Sequence, residues 1–474
     1  MENKKKILFI EPSGDVMGWF ARFMAIPFMG PVYLATIARN AGHSAVIFNE
    51  HIMKRHITTE EMSDADILCL SCISSTVNRG KEIADEYRET RTKKGLHSHV
   101  IVGGIHASMM PEDVENHFDQ IVIGEAEEIF IDLIEGRNTE RIVQGERLKD
   151  INSLPYPDYT SLINYDQMVV TPVMTSRGCP YDCSFCSVTE MFGRSYRFQS
   201  PERVMEELLA NKKEWWRWIL FVDDNFAAGI DRTDRLLDLM IKNKFNIPWS
   251  ASVRTEITKH PDLVAKMRRA GCKLVYIGFE SVNPDTLKDY KKKQTVEDIK
   301  RSIKVFRDNH IIIYGMFTLG NDTDQKDIFK TTAKFSRDMK IDISQFSVLT
   351  PLPGTRIFKQ LESEGRLLHK DWSMYDGLHS VFEPKNMTAY ELQNGMIESY
   401  ADFYTYRSAA DTAVNTMGRA VYSTVKSLYS ETYFPSFYPS MTKILGRKQV
   451  REWITINRDY LSYLKGRDDF DLEV

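Results

Sequence analysis

Short apolar runs alternate with longer amphipathic segments through the first 150 residues of the chain. The runs at 7–10, 44–49, 66–71, 100–102 and 119–123 predict five strands, and helical patterns fill the segments between them. One of these helices begins near Pro31 and ends before Gly42, as proline and glycine favour. Because strand and helix alternate, the pattern predicts an α/β fold with a doubly wound parallel sheet.

Small and polar residues follow the predicted strands of this sheet. Parallel sheets bind ligands at the carboxyl ends of their strands, so these residues are predicted to form a cofactor platform. No Gly-x-Gly-x-x-Gly follows the first strand, which disfavours a dinucleotide. The predicted platform residues are Ser13, Gly14, Ser74, Ser75, Thr76, Gly103, Gly104, His106, Gly124 and Glu125.

A second alternation of strands and helices follows a proline-punctuated linker. Six strand–helix units are predicted after the linker, which is too few for an eight-stranded barrel but enough for a partial (β/α)6 barrel. Beyond residue 385 the pattern becomes helical, over 388–407 and 411–429. The predicted domains are therefore a sheet domain at 1–150, a linker at 151–167, a barrel at 168–384 and a helical domain at 385–474.

Composition narrows the class of protein. The chain has 474 residues, of which 42% are hydrophobic and 27% charged, as in soluble multidomain proteins. Its net charge of −4 supplies no general attraction for nucleic acid, and no apolar run reaches the ~20 residues that span a bilayer. We expect a cytoplasmic protein. The basic and aromatic stretch 426–451 is either a solvated face or a membrane contact that admits a lipid substrate.

Three of the six cysteines, Cys179, Cys183 and Cys186, lie in one short predicted loop. They cannot all pair as disulfides, and their spacing predicts ligands to a soft metal centre. Most such centres take four protein ligands, and no fourth cysteine follows nearby, so one coordination position is left open. Cys69 and Cys72 fall within an apolar strand pattern and are predicted to be buried structural residues.

The spacing Cys-x3-Cys-x2-Cys, with Phe185 before the last cysteine, resembles the radical S-adenosylmethionine (SAM) superfamily. The sheet domain, with its Gly-Gly-Ile-His and Gly-Glu-Ala-Glu segments, resembles the cobalamin-binding domain fused to many of these enzymes. Segments 221–225, 277–281 and 349–355 resemble the barrel of the same group. Segment 372–388 is similar to hopanoid methylases and to the anaerobic cyclase of chlorophyll synthesis. The resemblance covers roughly residues 10–400.

The resemblance implies that the three cysteines hold three irons of a 4Fe-4S cluster and that SAM chelates the fourth. Reductive cleavage of SAM then yields a radical that takes hydrogen from an unactivated carbon. In the methylase branch, methylcobalamin delivers a methyl group to the substrate. Cofactors supply such chemistry because an unactivated C–H bond offers no acid–base handle, so no catalytic acid or base is assigned.

The resemblance and the positions at strand ends also imply ligand contacts. Asp223 or Asp224 is expected to meet the SAM ammonium, and Arg254 the SAM carboxylate. Glu280 is expected to accept from the ribose hydroxyls, and Phe185 to pack near the adenine.

No complete sequence motif identifies a histidine ligand for cobalt. The Asp-x-His-x-x-Gly signature is absent from the first loop, and His51 only echoes it after the second predicted strand. His43 and His106 are further candidates. Relatives with this domain often lack the histidine, so cobalamin binding would then rest on shape and backbone contacts.

Three functions therefore remain open. The leading one is a cobalamin-dependent radical SAM methyltransferase acting on a lipid, tetrapyrrole or natural product. The second is radical SAM cyclisation, oxidation or carbon–carbon coupling without methyl transfer. The third, from another class, is a sensor that binds cobalamin or a cluster without turnover. Both enzymes would need low oxygen and a reductant such as flavodoxin or ferredoxin.

Overall fold

The computed structural model describes residues 4–14, 25–210, 218–414 and 438–471. The chain divides into two compact units. Unit 1 comprises residues 1–226, 351–360 and 370–376, and unit 2 comprises 227–350, 361–369 and 377–474. The domain limits drawn from the sequence at 150, 167 and 384 stay predictions.

Unit 1 contains the predicted doubly wound sheet. In its described part the sheet has six parallel strands in the order β2-β1-β3-β4-β5-β6. The sequence pattern missed the sixth, because this short edge strand alternates exposed and buried residues and has no continuous apolar run. The strands are β1 (Lys6–Glu11), β2 (Ser44–Asn49), β3 (Ile67–Ser71), β4 (Val100–Gly103), β5 (Gln120–Gly124) and β6 (Ile142–Gly145).

Helices follow most of these strands. Helix α1 buries Val32, Tyr33 and Ala35 against a core that includes Phe9 and Phe130. The helices are α1 (Met29–Asn40), α2 (Glu50–Met53), α3 (Thr59–Ser63), α4 (Val77–Lys93), α5 (Ile105–Met109), α6 (Pro111–Val114) and α7 (Phe130–Ile134).

The strand order reverses at β1, which pairs with β2 on one side and β3 on the other. Chain connections leave β1 and β3 in opposite directions, so a crevice opens at their carboxyl ends. This is the topological switch point at which open α/β sheets bind ligands.

The remainder of unit 1 carries the cysteine segment. Strands β7 and β10 pair in parallel, and the two-residue strands β8 and β9 pair antiparallel, with Ser176 opposite Phe198 and Arg177 opposite Arg197. The elements are β7 (Val170–Val173), β8 (Ser176–Arg177), α8 (Val188–Phe192), β9 (Arg197–Phe198), α9 (Pro201–Ala210) and β10 (Trp218–Phe221).

Unit 2 continues the second alternation with parallel strands in sequential order. Phe279, Phe317 and Phe346 stack along its core, with centroids 5.6 and 5.9 Å apart in successive pairs. The strands are β11 (Trp249–Val253), β12 (Cys272–Glu280), β13 (Ile312–Leu319) and β14 (Ile343–Val348). The helices of this part are α10 (Ile230–Lys242), α11 (Pro261–Arg269), α12 (Pro284–Asp289), α13 (Val296–Asp308) and α14 (Ile328–Asp338).

The C-terminal part is helical, as predicted. Most of the predicted helix over 411–429, and the aromatic portion of the stretch 426–451, lie outside the described residues. Within the described ranges no helix is both long enough and apolar enough to cross a bilayer. The helices are α15 (Arg356–Ser363), α16 (Ala389–Phe403), α17 (Tyr438–Ile456) and α18 (Arg458–Asp471).

Candidate cofactor site

The three clustered cysteines lie in the loop between β8 and α8, and each is half-buried. The amide of Cys186 donates to the carbonyl oxygen of Cys183 at 3.2 Å, which curls the end of the loop. Burial raises the pKa of the Cys186 thiol to about 12, and negative charge on Cys183, Asp224 and Cys179 adds to the rise. The loop therefore gathers three thiols into a region of limited solvent access.

The donor set fits an iron–sulfur cluster. It consists of three cysteine sulfurs in one loop, and the cysteines of a 4Fe-4S cluster bond to different irons.

The start of the loop depends on Gly178. Its φ is +86°, and a Cβ there would lie 2.3 Å from the carbonyl oxygen of Ser195. Only glycine fits both the left-handed conformation and this close approach. The next amide, of Cys179, donates to the carbonyl of Gly193 at 3.3 Å.

A distant segment fixes the middle of the loop. The guanidinium of Arg356 donates to the carbonyl oxygen of Asp182 at 2.8 Å and also pairs with its carboxylate. The amide of Ile357 donates to the carbonyl of Ser184 at 3.3 Å. Phe185, predicted to pack near adenine, follows this anchored residue and is half-buried.

Asp223 and Asp224 differ in their surroundings. The Asp223 carboxylate is buried and accepts from the amides of Thr175 and Ser176, at 2.6 and 2.8 Å, and from the Thr175 hydroxyl at 2.5 Å. Asp224 exposes more of its side chain, yet the surrounding protein and the charge of Asp223 raise the pKa of its carboxyl to about 7. Asp223 thus holds the entry to the cysteine segment, and Asp224 is the more accessible acid.

The buried Arg177 and the half-buried Arg197 connect the cysteine segment to the end of β5. Arg177 pairs with Glu125 at 3.0 Å and with Glu127 at 2.5 Å, and Arg197 donates to both Glu125 oxygens at 2.5 and 2.9 Å. The Leu148 amide adds a third donor to Glu125 at 3.0 Å. Burial opposes ionisation of Glu125, but the Arg197 hydrogen bonds and the Arg177 charge outweigh it and lower its pKa. We call these four charged residues the β5 network.

The predicted platform residues after β1 and β3 lie at the switch point. A Cβ on Gly14 would stand 3.0 Å from the carbonyl of Ser75, so the two loops are adjacent. The Ser13 amide donates to Glu50 at 2.9 Å. Ser74 is buried, and Thr76 accepts from the Ile73 amide at 3.2 Å. The small residues at the described starts of these two loops fit the approach of a flat, bulky cofactor such as cobalamin.

Gly103 ends β4, and Gly104 begins the turn into α5. Gly104 has φ +92°, and a Cβ there would lie 2.7 Å from the carbonyl of Cys72, so backbone approaches backbone at this edge. Gly124 ends the neighbouring β5, and its amide donates to Ser108 at 3.0 Å. The platform residues after β4 and β5 therefore share the same edge of the sheet.

The candidate histidines are held by protein groups. The two ring nitrogens of His106 lie 3.1 Å from the Ser74 hydroxyl and 3.1 Å from Asp113. Those of His43 lie 3.2 Å from the Lys5 amide and 3.2 Å from Glu135. His51 lies 3.2 Å from the Ser13 hydroxyl through Nδ1. Cobalamin binding through shape and backbone fits these contacts better than ligation by His43 or His106.

Arg254 and Glu280 lie in unit 2, after β11 and at the end of β12. Lys292 connects them: its ammonium contacts Glu280 at 2.7 Å, and its carbonyl accepts from Arg254 at 2.6 Å. Glu280 also accepts from Thr318 at 3.2 Å, and Arg254 donates to Glu256 at 2.9 Å. We call Arg254, Glu280 and Lys292 the β12 network.

Several residues of the site were not predicted. Arg177 and Arg197 border the cysteine loop, but no pattern in the neighbouring sequence predicts that their partners lie at the end of β5. Arg356 directly follows segment 349–355, which resembles the radical SAM barrel. That position was the only hint in the sequence that Arg356 belongs to the site. Lys292 lies in a run of three lysines that resembles a solvated surface. Cys69 and Cys72 are buried, as predicted, and Cys272 is buried as well; burial raises the pKa of Cys72 to about 12.

Comparison with known proteins agrees with this geometry. Residues 173–332 match the radical SAM superfamily, and residues 25–134 match the B12 binding domain. The chain contains a radical SAM domain and a B12 binding domain. The first match contains the three-cysteine loop, and the second contains β2 to β5, including the β3 side of the switch point. The family therefore implies a 4Fe-4S cluster, SAM and cobalamin as cofactors, as the sequence indicated.

Relatives span most of this radical SAM protein. It is 28% identical over 359 residues to bacteriochlorophyllide d C-12(1)-methyltransferase of Chlorobaculum tepidum, covering 73% of this chain and 76% of that protein. It is 24% identical over 415 residues to anaerobic magnesium-protoporphyrin IX monomethyl ester cyclase of Cereibacter sphaeroides, covering 78% and 66%. The cobalamin-dependent SAM radical enzyme OxsB has the same fold, with a TM-score of 0.68, 14% identity and coverage of 97% of this chain and 80% of OxsB.

Proposed function

We propose that the protein is a cobalamin-dependent radical SAM methyltransferase that acts on an unactivated carbon. One observation carries the proposal: a single chain places a three-cysteine radical SAM loop after a B12 binding domain. Its similarity to a methyltransferase over 73% of its length supports methyl transfer. When bound, the cluster and SAM supply a radical that removes hydrogen, and cobalamin supplies the methyl group.

The residues of unit 1 divide into ligands and positioning groups. Cys179, Cys183 and Cys186 hold the cluster, and Asp224 pairs with the SAM ammonium. Asp223 positions the backbone ahead of the cysteine loop, because its carboxylate is engaged by Thr175 and Ser176. Phe185 packs near the adenine. The switch-point loops hold cobalamin.

Arg254 and Glu280 of unit 2 are proposed to contact the SAM carboxylate and the ribose hydroxyls. Arg254 is a planar donor suited to a carboxylate, and in this proposal SAM takes the place of the Glu256 carboxylate that it contacts. A carboxylate such as Glu280 accepts two hydroxyl hydrogen bonds.

The proposed substrate is an extended small molecule such as a tetrapyrrole, a lipid or a related natural product. The related methyltransferase and cyclase are named for tetrapyrrole substrates, which supports this class. The cyclase also supports the second candidate, radical oxidation or cyclisation without methyl transfer.

Cofactor content tests the proposal first. Protein purified without oxygen should contain about four irons per chain and show a cobalamin absorption spectrum. Cys183→Ala should lose the iron and all reductive cleavage of SAM. Cys272→Ala is the matched control, since Cys272 is buried in unit 2, and it should keep both. Iron retained in Cys183→Ala would contradict the assigned ligands.

SAM labelled in its methyl group separates the candidate functions. Methyl transfer predicts label in the product, together with 5′-deoxyadenosine. Label that remains in methionine while an unlabelled product forms would favour cyclisation or oxidation. A protein that binds its cofactors but produces no 5′-deoxyadenosine with a strong reductant would be a sensor.

We further propose that α17 contacts a membrane surface, through which a lipid substrate could enter. Met441, Ile444 and Leu445 are exposed on α17, and Arg447 and Lys448 follow them. Apolar side chains beside cations suit an anionic lipid interface. Flotation with vesicles of anionic lipid should capture the protein, and Ile444→Asp should release it. Equal flotation with anionic and with neutral vesicles would contradict the proposed membrane contact.

We also propose a cytoplasmic location and an external electron donor such as flavodoxin or ferredoxin. SAM cleavage requires an electron that the protein side chains do not provide. Reduced flavodoxin should replace a chemical reductant in the 5′-deoxyadenosine assay.

A further inference from the structure

A tyrosine outside the cysteine motif contacts one of the proposed cluster ligands. The Tyr196 hydroxyl lies 3.8 Å from the Cys179 sulfur, within hydrogen-bond range for sulfur. The side-chain amide of Asn225 lies 3.3 Å from the same hydroxyl, with Nδ2 as the donor. Neither residue has a role in the contacts described so far.

The chemistry of the three groups sets the direction of both hydrogen bonds. The Asn225 NH₂ group only donates, so the Tyr196 oxygen accepts from it. The tyrosine hydrogen is then available to another acceptor. An iron-bound thiolate carries no hydrogen and can only accept. Tyr196 must therefore be the donor to Cys179 once the cysteine is a ligand.

Two separate elements place these side chains. Tyr196 directly precedes β9, whose pairing with β8 sets Arg197 opposite Arg177, two residues before Cys179. Its ring stacks on Phe198 with centroids 5.4 Å apart, which restricts the ring orientation. Asn225 follows β10 and is 7% exposed. The contact therefore depends on tertiary structure and is sheltered from solvent.

We propose that Tyr196 is a positioning residue that donates a hydrogen bond to the Cys179 thiolate and raises the reduction potential of the cluster, with Asn225 orienting its hydroxyl. The inference rests on the proposed function, since it needs the cluster to be present. It adds to that function a group that adjusts how readily the cluster accepts an electron.

The expected sign follows from electrostatics. Hydrogen bonds to the ligand sulfurs are among the factors that set iron–sulfur potentials. Reduction adds negative charge that is shared with the ligand sulfurs. A donor at Cys179 therefore stabilises the reduced cluster more than the oxidised one, and its loss makes the potential more negative.

A redox titration of the reconstituted full-length protein, followed by the electron paramagnetic resonance signal of the reduced cluster, tests the inference. Tyr196→Phe should keep its iron and show a midpoint potential more negative than wild type. Asn225→Leu should show a smaller shift in the same direction. Tyr156→Phe is the control, because it removes a hydroxyl that contacts Glu206 at 2.5 Å on the surface, and it should show no shift.

The outcomes are separable from those for the proposed function. Unchanged midpoint potentials in both Tyr196→Phe and Asn225→Leu, with full iron content, would overturn this inference alone. Should Tyr196→Phe fail to retain iron, the shift in Asn225→Leu decides, because Asn225 acts on the tyrosine and not on a cysteine. Wild-type protein that binds no iron would overturn the proposed function and this inference together.

Discussion

The β5 network of unit 1 and the β12 network of unit 2 arise from similar local sequence. Each centres on a glutamate at or beside the carboxyl end of a parallel strand, Glu125 after Gly124 and Glu280 two residues after Gly278. The sequence predicts a cofactor contact for both glutamates. Their partners differ, and that difference separates a framework role from a candidate ligand role.

Glu125 is surrounded by donors on both oxygens. Two guanidinium groups and a backbone amide occupy its acceptor positions, and Glu127 shares one of the arginines. A buried carboxylate with these partners has little capacity left for a cofactor. It joins the loop after β5 to both strands that flank the cysteines.

Glu280 has fewer partners and a strained backbone. One ammonium and one hydroxyl contact its carboxylate, and its φ is +61°, where a β-carbon is disfavoured. A bulge between Gly278 and Glu280 interrupts the register of β12 with β13 at this point. Strain retained at such a position is typical of a functional site. A charged residue at a strand end is thus a framework residue or a ligand according to how fully the protein satisfies it.

The largest expected effect comes from removing the shared cation of the β5 network. Arg177→Met should lower the free energy of unfolding by about 3–5 kcal/mol, because it leaves Glu127 buried and unpaired. Urea unfolding of the metal-free protein measures the change. Lys93→Met, which removes an exposed pair with Glu89 on α4, is the control and should cost less than about 1 kcal/mol. A similar small loss in Arg177→Met would remove the distinction between the networks.

Glu11, a buried carboxylate with no cation as a partner among the described residues, provides the next test. Burial raises the pKa of the Glu11 carboxyl to about 8, although hydrogen bonds from the Phe28 amide and from Asn49 act in the opposite direction and lower it. The unfolded chain ionises near 4.5, so stability should fall as pH rises from about 4.5 to 8 and then level off. In Glu11→Gln, the loss of unfolding free energy between pH 5 and pH 8 should be smaller than in wild type by about 3 kcal/mol. Urea unfolding at the two pH values measures this difference.

Glu125 should show the opposite pH dependence, because its pKa is lowered. Its contribution to stability is present above the unfolded pKa and is lost as the pH falls through the folded value. Glu125→Gln should therefore reduce the loss of stability below pH 4. Equal pH profiles for the Glu11 and Glu125 variants would contradict the difference in pairing.

Ligand affinity should separate Glu125 from Glu280. Glu280→Gln should weaken SAM binding about tenfold, the effect of losing one charge-assisted hydrogen bond. Its stability should fall by less than that of Arg177→Met, by about 1–3 kcal/mol, since the amide oxygen still accepts from the buried Lys292 ammonium. Isothermal titration of the anaerobic holoprotein with SAM measures the affinity. Undiminished affinity would place Glu280 with the framework residues.

The smallest expected effect comes from the strain at Glu280. Glu280→Gly removes the β-carbon from a left-handed backbone, a gain of about 1 kcal/mol that offsets only part of the lost contact with Lys292. Its unfolding free energy should lie below that of wild type and about 1 kcal/mol above that of Glu280→Ala. Glu280→Ala keeps the strain and loses the contact, so it should be less stable than Glu280→Gly. The reverse order would show that the backbone is unstrained.

Sequence alone determined the elements whose signal is local. Continuous apolar runs identified the buried parallel strands, because strands covered on both faces have few polar positions. The three-cysteine spacing identified the cluster loop, because its ligands are neighbours in the chain. The edge strand β6 escaped, because one of its faces is exposed and its apolar run is broken.

Tertiary structure decided which side chains are partners. Three outcomes depend on contacts between segments that are distant in sequence. These are the different surroundings of Asp223 and Asp224, the pairing of Glu125 with Arg177 and Arg197, and the contact between Tyr196 and Cys179. Composition and spacing place a charge at the end of a strand. Whether that charge is left to bind a cofactor depends on hydrogen bonds that form only when the chain is folded.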